Sequence, residues 1–258
     1  MRLIDTHLHL YDEAFDADRE EVVERMRQAG VVKCIMPAID KDSFGRQSSV
    51  SSAYRDFLWQ AIGLHPTSVN ENWEDELQFV RDELEKRRDN YVAIGEIGLD
   101  GYWSKDFMEE QKTVFKEQLL LAKEYSLPVI IHLREATEEL FEVLDSPGAA
   151  PLKGVFHAFS GSAESYRRLK KYGDIKFGIG GVVTYKNAGV AVSLKSMLLE
   201  DLLLETDAPW LSPVPFRGKR NESSHLVEIA AKIAQIKEVA IEEVAETTSV
   251  NAERMFGI

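Results

Sequence analysis

Short apolar runs rich in β-branched residues alternate along the chain with longer stretches in which apolar positions recur every three or four residues. The short runs have the length and composition of buried strands, and the longer stretches have the period of amphipathic helices. We predict eight strands, near residues 2–9, 31–38, 57–64, 91–97, 128–132, 153–158, 174–180 and 201–206. The pattern is therefore that of an alternating β/α chain.

The clearest predicted helix runs from about residue 107 to residue 124. Val114 and Leu119 fall on one side of it, and Lys112 and Lys116 lie mostly on the other. Helical spacing of apolar residues returns in two segments near the end of the chain. Each predicted strand is thus followed by a segment that can cover one side of a sheet.

Eight strands separated by helices, in a chain of 258 residues, predict a (β/α)8 TIM barrel. No linker rich in Pro, Gly or Ser divides the chain, so we expect residues 1–258 to form one domain. A doubly wound open sheet is the alternative architecture. It is less favoured because no G-x-G-x-x-G sequence follows the first strand.

Metal-binding side chains recur at the ends of the predicted strands. Side chains two apart in a strand point to the same face, so His7 and His9, on either side of Leu8, aim in one direction. In a barrel the carboxyl ends of all strands meet at one rim, where active sites form. The other residues at such ends are His65, Glu96, His132, His157 and Asp207.

Taken singly, each of these residues has an ordinary explanation. A lone His after a strand often caps or packs, Glu96 fits a buried paired carboxylate, and Asp207 fits the start of a turn. Those explanations do not account for five of the six histidines and two acids gathered at one rim. The set predicts a transition-metal site. His225, at a predicted helix start, is not expected to be a ligand.

The composition limits the classes of partner. A net charge of -13 and a pI of about 5.0 argue against a protein that coats nucleic acid. They allow an enzyme that binds one or two phosphates through a metal ion. The single cysteine, Cys34, lies in an apolar run, so we expect a buried inert thiol. No apolar run reaches membrane length, and we expect a cytoplasmic protein with no membrane partner and no obligate protein partner.

These residues and the segments around them resemble the TatD family of metal-dependent hydrolases, within the amidohydrolase-like superfamily. The resemblance covers nearly the whole chain and keeps the order of its segments. The matching segments are Asp5–His9, Gly63–Pro66, Gly95–Asp100, His132–Arg134, His157–Gly161, Glu205–Pro209, Arg217–Glu222 and Asn251–Phe256. It implies a TIM barrel of the metal-dependent hydrolase type that acts as a deoxyribonuclease, in particular an exonuclease.

The resemblance also implies one or two divalent ions, with Zn, Mn and Mg all open. The implied ligands are His7, His9 and Asp207 for the first ion, His132 and His157 for the second, and Glu96 as the bridge between them. Asp207 is the expected general base, because a carboxylate beside an activated water can take its proton. Glu96 stands where several related barrels carry a carboxylated lysine, which argues against dihydroorotase-like and phosphotriesterase-like activities.

The expected substrate is DNA or another nucleotide phosphodiester. Arg134, Arg217 and Lys219 are predicted to bind its phosphates, because guanidinium and ammonium groups suit phosphate oxygens. Arg220, in the same loop, fits a phosphate contact and a surface position equally well. His65 is predicted to donate a hydrogen bond to a phosphate or to the leaving group.

Three aromatic residues after predicted strand ends fit either base stacking or loop packing. They are Tyr102, Trp103 and Phe159. Two alternative functions stay open on this reasoning. One is hydrolysis of a small amide, lactone or phosphoester at the same metal site. The other is metal binding without catalysis, against which the complete set of ligands argues.

Overall fold

A computed structural model describes residues 1–258 of the chain. Eight parallel strands form one sheet in which each strand pairs with the next in chain order. The strands are β1 Leu3–Asp5, β2 Val31–Met36, β3 Leu58–Ile62, β4 Tyr91–Asp100, β5 Val129–Arg134, β6 Leu152–Phe156, β7 Gly173–Ile179 and β8 Leu202–Leu204. All eight predicted strands are present.

The sheet closes on itself between β8 and the end of β1. The backbone N–H of Thr6 donates to the carbonyl of Leu204 at 3.0 Å, and Leu8 forms a parallel bridge with Ala208 just beyond the two strands. These contacts join the first strand to the last. The predicted (β/α)8 barrel is confirmed, and the open-sheet alternative is wrong.

Helices follow the strands and cover the outside of the barrel. The helices are α1 Arg19–Gln28, α2 Lys41–Ala53, α3 Trp73–Arg87, α4 Met108–Glu124, α5 Thr137–Leu144, α6 Ala163–Leu169, α7 Gly189–Ser193, α8 Leu226–Lys237 and α9 Ile241–Phe256. Helix α4 matches the clearest helix predicted from the sequence. No helix combines the length and the apolar character needed to cross a membrane.

The first and last strands are shorter than predicted. The Asp5 carboxylate accepts the backbone N–H of His7 at 3.2 Å and that of Thr206 at 3.0 Å, so both donors are diverted to a side chain. The predicted strand 2–9 is therefore wrong over its second half, because the chain turns at Asp5. His7 and His9 follow the strand instead of lying in it.

The fourth strand is longer than predicted. It extends to Asp100, so Glu96 lies inside the strand and not at its end. The pairing with β5 shifts register between Ile94 and Ile97, as it does at a β-bulge. A bulge re-aims the side chains beside it, and Glu96 is one of the residues between these two positions.

The inside of the barrel is apolar at the end opposite the strand carboxyl termini. One cluster of ten buried residues takes a residue from each of seven strands and three from α9. Those from α9 are Ala252, Met255 and Phe256, so this helix covers the base of the barrel. Cys34 is fully buried, and burial raises its pKa well above the usual range, in agreement with an inert thiol.

Candidate metal centre

The structure places all six predicted ligands, and the predicted donor His65, at the carboxyl end of the barrel. Each lies in or shortly after a strand, and five of the seven are buried, whereas His132 and Asp207 are partly exposed. His7 and His9 follow β1, His65 follows β3, Glu96 lies in β4, His132 lies in β5, His157 follows β6 and Asp207 follows β8. The side chains therefore come from six strands that surround one point.

His7, His9 and Asp207 form a first cluster. The Nε2 atoms of the two imidazoles are 3.1 Å apart. Oδ1 of Asp207 lies 3.6 Å from Nε2 of His7 and 3.5 Å from Nε2 of His9. One ligand atom of each residue lies within 4.8 Å of the others, so the two histidines do converge although the strand ends before them.

Glu96 lies between this cluster and a second one. Its Oε2 is 3.1 Å from Nε2 of His7. Its Oε1 is 2.9 Å from Nδ1 of His132 and 2.8 Å from Nε2 of His157. The two oxygens of one carboxylate thus face two groups of imidazoles.

Hydrogen bonds on the outer side orient two of these rings. The hydroxyl of Tyr11 donates to the carbonyl of Pro37 at 2.7 Å, so it accepts from Nδ1–H of His9 at 2.9 Å. The lone pair of His9 is then on Nε2, toward the centre. Nε2 of His132 lies 2.8 Å from Asp100, an acceptor, so the inner atom of this ring is Nδ1. Such outer partners are typical of metal-ligating histidines.

The imidazole of His65 carries its proton on the nitrogen that faces the centre, unlike the rings of His9 and His132. The backbone N–H of Thr67 donates to Nδ1 of His65 at 3.1 Å, which places the ring proton on Nε2. That proton points at Oε1 of Glu96, 3.2 Å away. Burial lowers the pKa of His65, so the ring is a neutral hydrogen-bond donor. This arrangement suits the predicted donor role better than a ligand role.

The ionisable groups of the centre shift one another's pKa values. Burial would raise the pKa of Glu96, but the imidazoles around it, with His157 first, outweigh burial and hold the pKa well below its usual range. The pKa of Asp207 is also lowered, since contacts with His9 and His7 outweigh the effect of burial. Burial lowers the pKa of His7. The site therefore presents ionised carboxylates beside a neutral imidazole.

Two histidines of the centre have raised pKa values. Burial alone would lower the pKa of His157, but the charge of Glu96 outweighs it and raises the pKa well above the usual range. Contacts with Asp100 and Glu96 likewise outweigh burial and raise the pKa of His132. The donor set of imidazole nitrogens and carboxylate oxygens fits divalent ions such as Zn or Mn.

Two further acids belong to the site and were not singled out in the sequence. Asp100 ends β4 and faces His132, and Glu205 follows β8 with Oε1 3.7 Å from Nδ1 of His157. Both stand in segments used for the family resemblance. The sequence feature that could have identified them is their spacing from predicted ligands. Glu205 precedes Asp207 by two residues, and Asp100 follows Glu96 by four.

The predicted phosphate-binding residues lie at the surface without ion-pair partners. The guanidinium of Arg134 stacks on Tyr102, with Cζ 3.5 Å from the ring centroid, and Trp103 is exposed beside it. Arg217 stacks on Tyr185 at 4.1 Å. Lys219 is exposed. These groups are free to meet a ligand.

Three other residues considered from the sequence have structural contacts. Arg220 donates two hydrogen bonds of 2.7 Å to Asp18, so its positive charge is paired with a carboxylate. Phe159 is buried and packs edge-on against Phe177 at 4.7 Å. His225 stacks on Phe216 with ring centroids 3.9 Å apart.

Comparison with known proteins identifies the family of the chain. The family model described as TatD related DNase matches residues 4–257. An uncharacterized metal-dependent hydrolase of Bacillus subtilis, YabD, is 42% identical over 257 residues, which cover 99% of each chain. A protein of Pantoea ananatis named 3'-5' ssDNA/RNA exonuclease TatD is 32% identical over 264 residues, covering 99% of this chain and 100% of its own.

The fold comparison gives the same result. The crystal structure of the TatD homologue YjjV from Escherichia coli matches with a TM-score of 0.92 and 34% identity, covering 100% of this chain and 98% of its own. The family model and these relatives extend over essentially the full length. The chain belongs to the TatD family and is a metal-dependent hydrolase.

Proposed function

We propose that this hydrolase cleaves phosphodiester bonds of DNA, acting on the ends of single strands as an exonuclease. The observation that carries the proposal is the position of Glu96. Its Oε2 lies 3.1 Å from Nε2 of His7, and its Oε1 lies 2.8 Å from Nε2 of His157. A carboxylate between two groups of imidazoles suits a pair of divalent ions.

The ligand set follows from the two clusters. His7, His9 and Asp207 would hold one ion, and His132 and His157 would hold the other, with Glu96 shared between them. Divalent ions bound by these side chains would polarise a phosphoryl oxygen and lower the pKa of the attacking water. Zn, Mn and Mg are the candidate ions.

Asp207 is placed to act as the general base. Its side chain is 16% exposed, whereas those of His7 and His9 are essentially buried, so it borders the opening of the site. Its lowered pKa keeps the carboxylate ionised at neutral pH and able to accept a proton from water. His65, with its proton on Nε2, can donate to a phosphoryl oxygen or to the leaving oxygen.

Cationic and aromatic groups at the surface support a nucleic acid substrate. Arg134 follows His132 by two residues on β5, so both side chains leave the strand on the same face. Arg134 stacks on Tyr102 and lies near Trp103, a combination that suits a phosphate beside an unstacked base. The Pantoea ananatis relative carries the name of an exonuclease on single strands.

A substrate panel tests the proposal. Linear single-stranded DNA, circular single-stranded DNA of the same length, a generic phosphodiester, an amide and a lactone are each incubated with Mg, Mn and Zn. We expect loss of the linear DNA and survival of the circle. Cleavage of the amide or lactone while linear DNA survives with every metal would contradict the proposal, and no turnover of any substrate would favour metal binding without catalysis.

A further inference from the structure

Three buried polar atoms beneath the candidate metal centre have no hydrogen-bond partner. They are Nδ1 of His7, Nδ1 of His157 and Oε2 of Glu205. Buried polar atoms in native proteins nearly always have partners, so a group of three such atoms at one place needs an explanation. The three atoms belong to two proposed ligands and one acid that the mechanism does not use.

The other histidines of the centre do not share this feature. The outer ring nitrogens of His9, His65 and His132 have the partners described above. Only His7 and His157 lack one. If their Nε2 atoms bind ions, the neutral rings must carry their protons on Nδ1, and these protons need an acceptor.

Glu205 is the acid beside both rings. The two rings are stacked with centroids 3.9 Å apart and planes inclined by 13°, so their edges lie side by side. One ring nitrogen of each and one oxygen of Glu205 lie within 4.8 Å of one another. Oε1 of Glu205 is 3.7 Å from Nδ1 of His157, and a closure of about 0.8 Å would make a hydrogen bond.

The backbone is shaped around this carboxylate. Glu205 is fully buried, and its Oε1 accepts the N–H of Ala158, next to His157. A Cβ at Gly178 of β7 would overlap the carboxylate and lie 2.6 Å from its carbon atom. The glycine therefore leaves the space that the acid occupies.

We propose that Glu205 is a positioning residue for the metal centre. One carboxylate oxygen accepts Nδ1–H of His157 and the other accepts Nδ1–H of His7, so both rings keep the Nε2 lone pair toward the ions. This inference rests on the metal centre of the proposed function. It does not depend on the identity of the substrate. A carboxylate in this position fixes the tautomer and raises the basicity of the ligand.

Removing the negative charge of Glu205 tests its proposed role as a positioning residue. We expect Glu205→Gln to weaken binding of Zn²⁺, measured by calorimetry on the metal-free full-length protein, by about 10–100-fold. The matched control is Asp201→Asn, which alters a buried acid just before β8 that is hydrogen-bonded to Tyr166 and Lys170. The control should bind Zn²⁺ like the wild type. An affinity of Glu205→Gln within twofold of the wild type would overturn the proposal.

Two glycine variants test the position of the Glu205 carboxylate without removing its charge. Gly178→Ala displaces the carboxylate, whereas a Cβ at Gly180 lies 3.7 Å from Oε1, an ordinary contact. The first variant should lose Zn²⁺ affinity and the second should keep it. Equal affinities in the two variants would contradict the proposal, and this comparison decides it if Glu205→Gln does not fold.

The proton positions give a direct signature. In the Zn²⁺-loaded wild type, ¹⁵N histidine spectra should show protonated Nδ1 in His7 and His157, with both resonances shifted in Glu205→Gln. Unshifted resonances would contradict the proposed hydrogen bonds. A wild type that binds Zn²⁺ but cleaves no DNA would refute the proposed function alone, whereas a wild type that binds no ion would refute both.

Discussion

The two ends of the barrel are built from the same strands and have opposite chemistry. At the base, seven strands each place an apolar residue against α9, and the cluster is buried. At the carboxyl end, the strands and the residues directly after them place imidazoles and carboxylates within 4 Å of one another. Burial of apolar area stabilises the fold, whereas burial of ionisable groups costs free energy unless they are paired.

We infer that stability and function are separated along the barrel axis. Groups at the carboxyl end offset their burial by contacts with one another, and the structure leaves three of their atoms without partners. We therefore expect substitutions at this end to change metal binding and turnover. Substitutions at the base should change the free energy of unfolding.

The largest expected effect on turnover is that of Asp207→Asn. The amide has the shape of the carboxylate but cannot accept the proton of water, so kcat should fall by about 10²–10⁴-fold while the fold is kept. The kcat is measured with the DNA substrate of the panel, and circular dichroism checks the fold. Wild-type kcat in this variant would exclude Asp207 as the base.

At the base, Phe256→Ala should cost about 3–5 kcal/mol of unfolding free energy, because it leaves a cavity under the barrel. Urea unfolding of the metal-free protein measures this loss. The folded variant should bind as much metal as the wild type. A matching loss of metal content would show that the two ends are not independent.

Metal binding should weaken as the pH falls. The pKa values of His157 and His132 are raised because nearby acids outweigh burial, so these rings keep their protons to higher pH than a free imidazole does. An ion must displace those protons, and the affinity should fall by about tenfold per pH unit for each one. Calorimetry at pH 7 in two buffers with different ionisation enthalpies should show proton release. Binding heats that do not depend on the buffer would contradict this.

The smallest expected effect is at the rim. Arg134→Ala should raise KM for DNA by about fivefold, as expected for an exposed charge contact, with little change in kcat. The slope of log affinity against log salt should become shallower by about one. Arg81→Ala, which alters an arginine on α3 paired with Glu117, is the control and should leave KM unchanged. Equal KM values in wild type and Arg134→Ala would remove Arg134 from the substrate site.

The sequence predicted the strand count and the barrel because hydrophobic period depends on local spacing. It did not predict where β1 ends, because the acceptor that ends it, Asp5, bonds to Thr206 from the far end of the chain. The position of Glu96 inside β4 depends on a register shift with β5, which is also a long-range property.

The candidate ligands were identified from residue type and position at strand ends. Their outer partners were not. Asp100 and Glu205 act on rings from other strands, and only the closed barrel brings these groups together. The structural role of Arg220 likewise depends on Asp18, which lies far from it in sequence.

The proposed function depends on converging side chains that hold divalent ions with Glu96 between them. Elemental analysis of metal bound per protein chain, in wild type and in Glu96→Ala loaded with the same ion and desalted, tests it most directly. We predict bound divalent metal in the wild type and a clearly lower content in folded Glu96→Ala. Unchanged stoichiometry in that variant would contradict the claim.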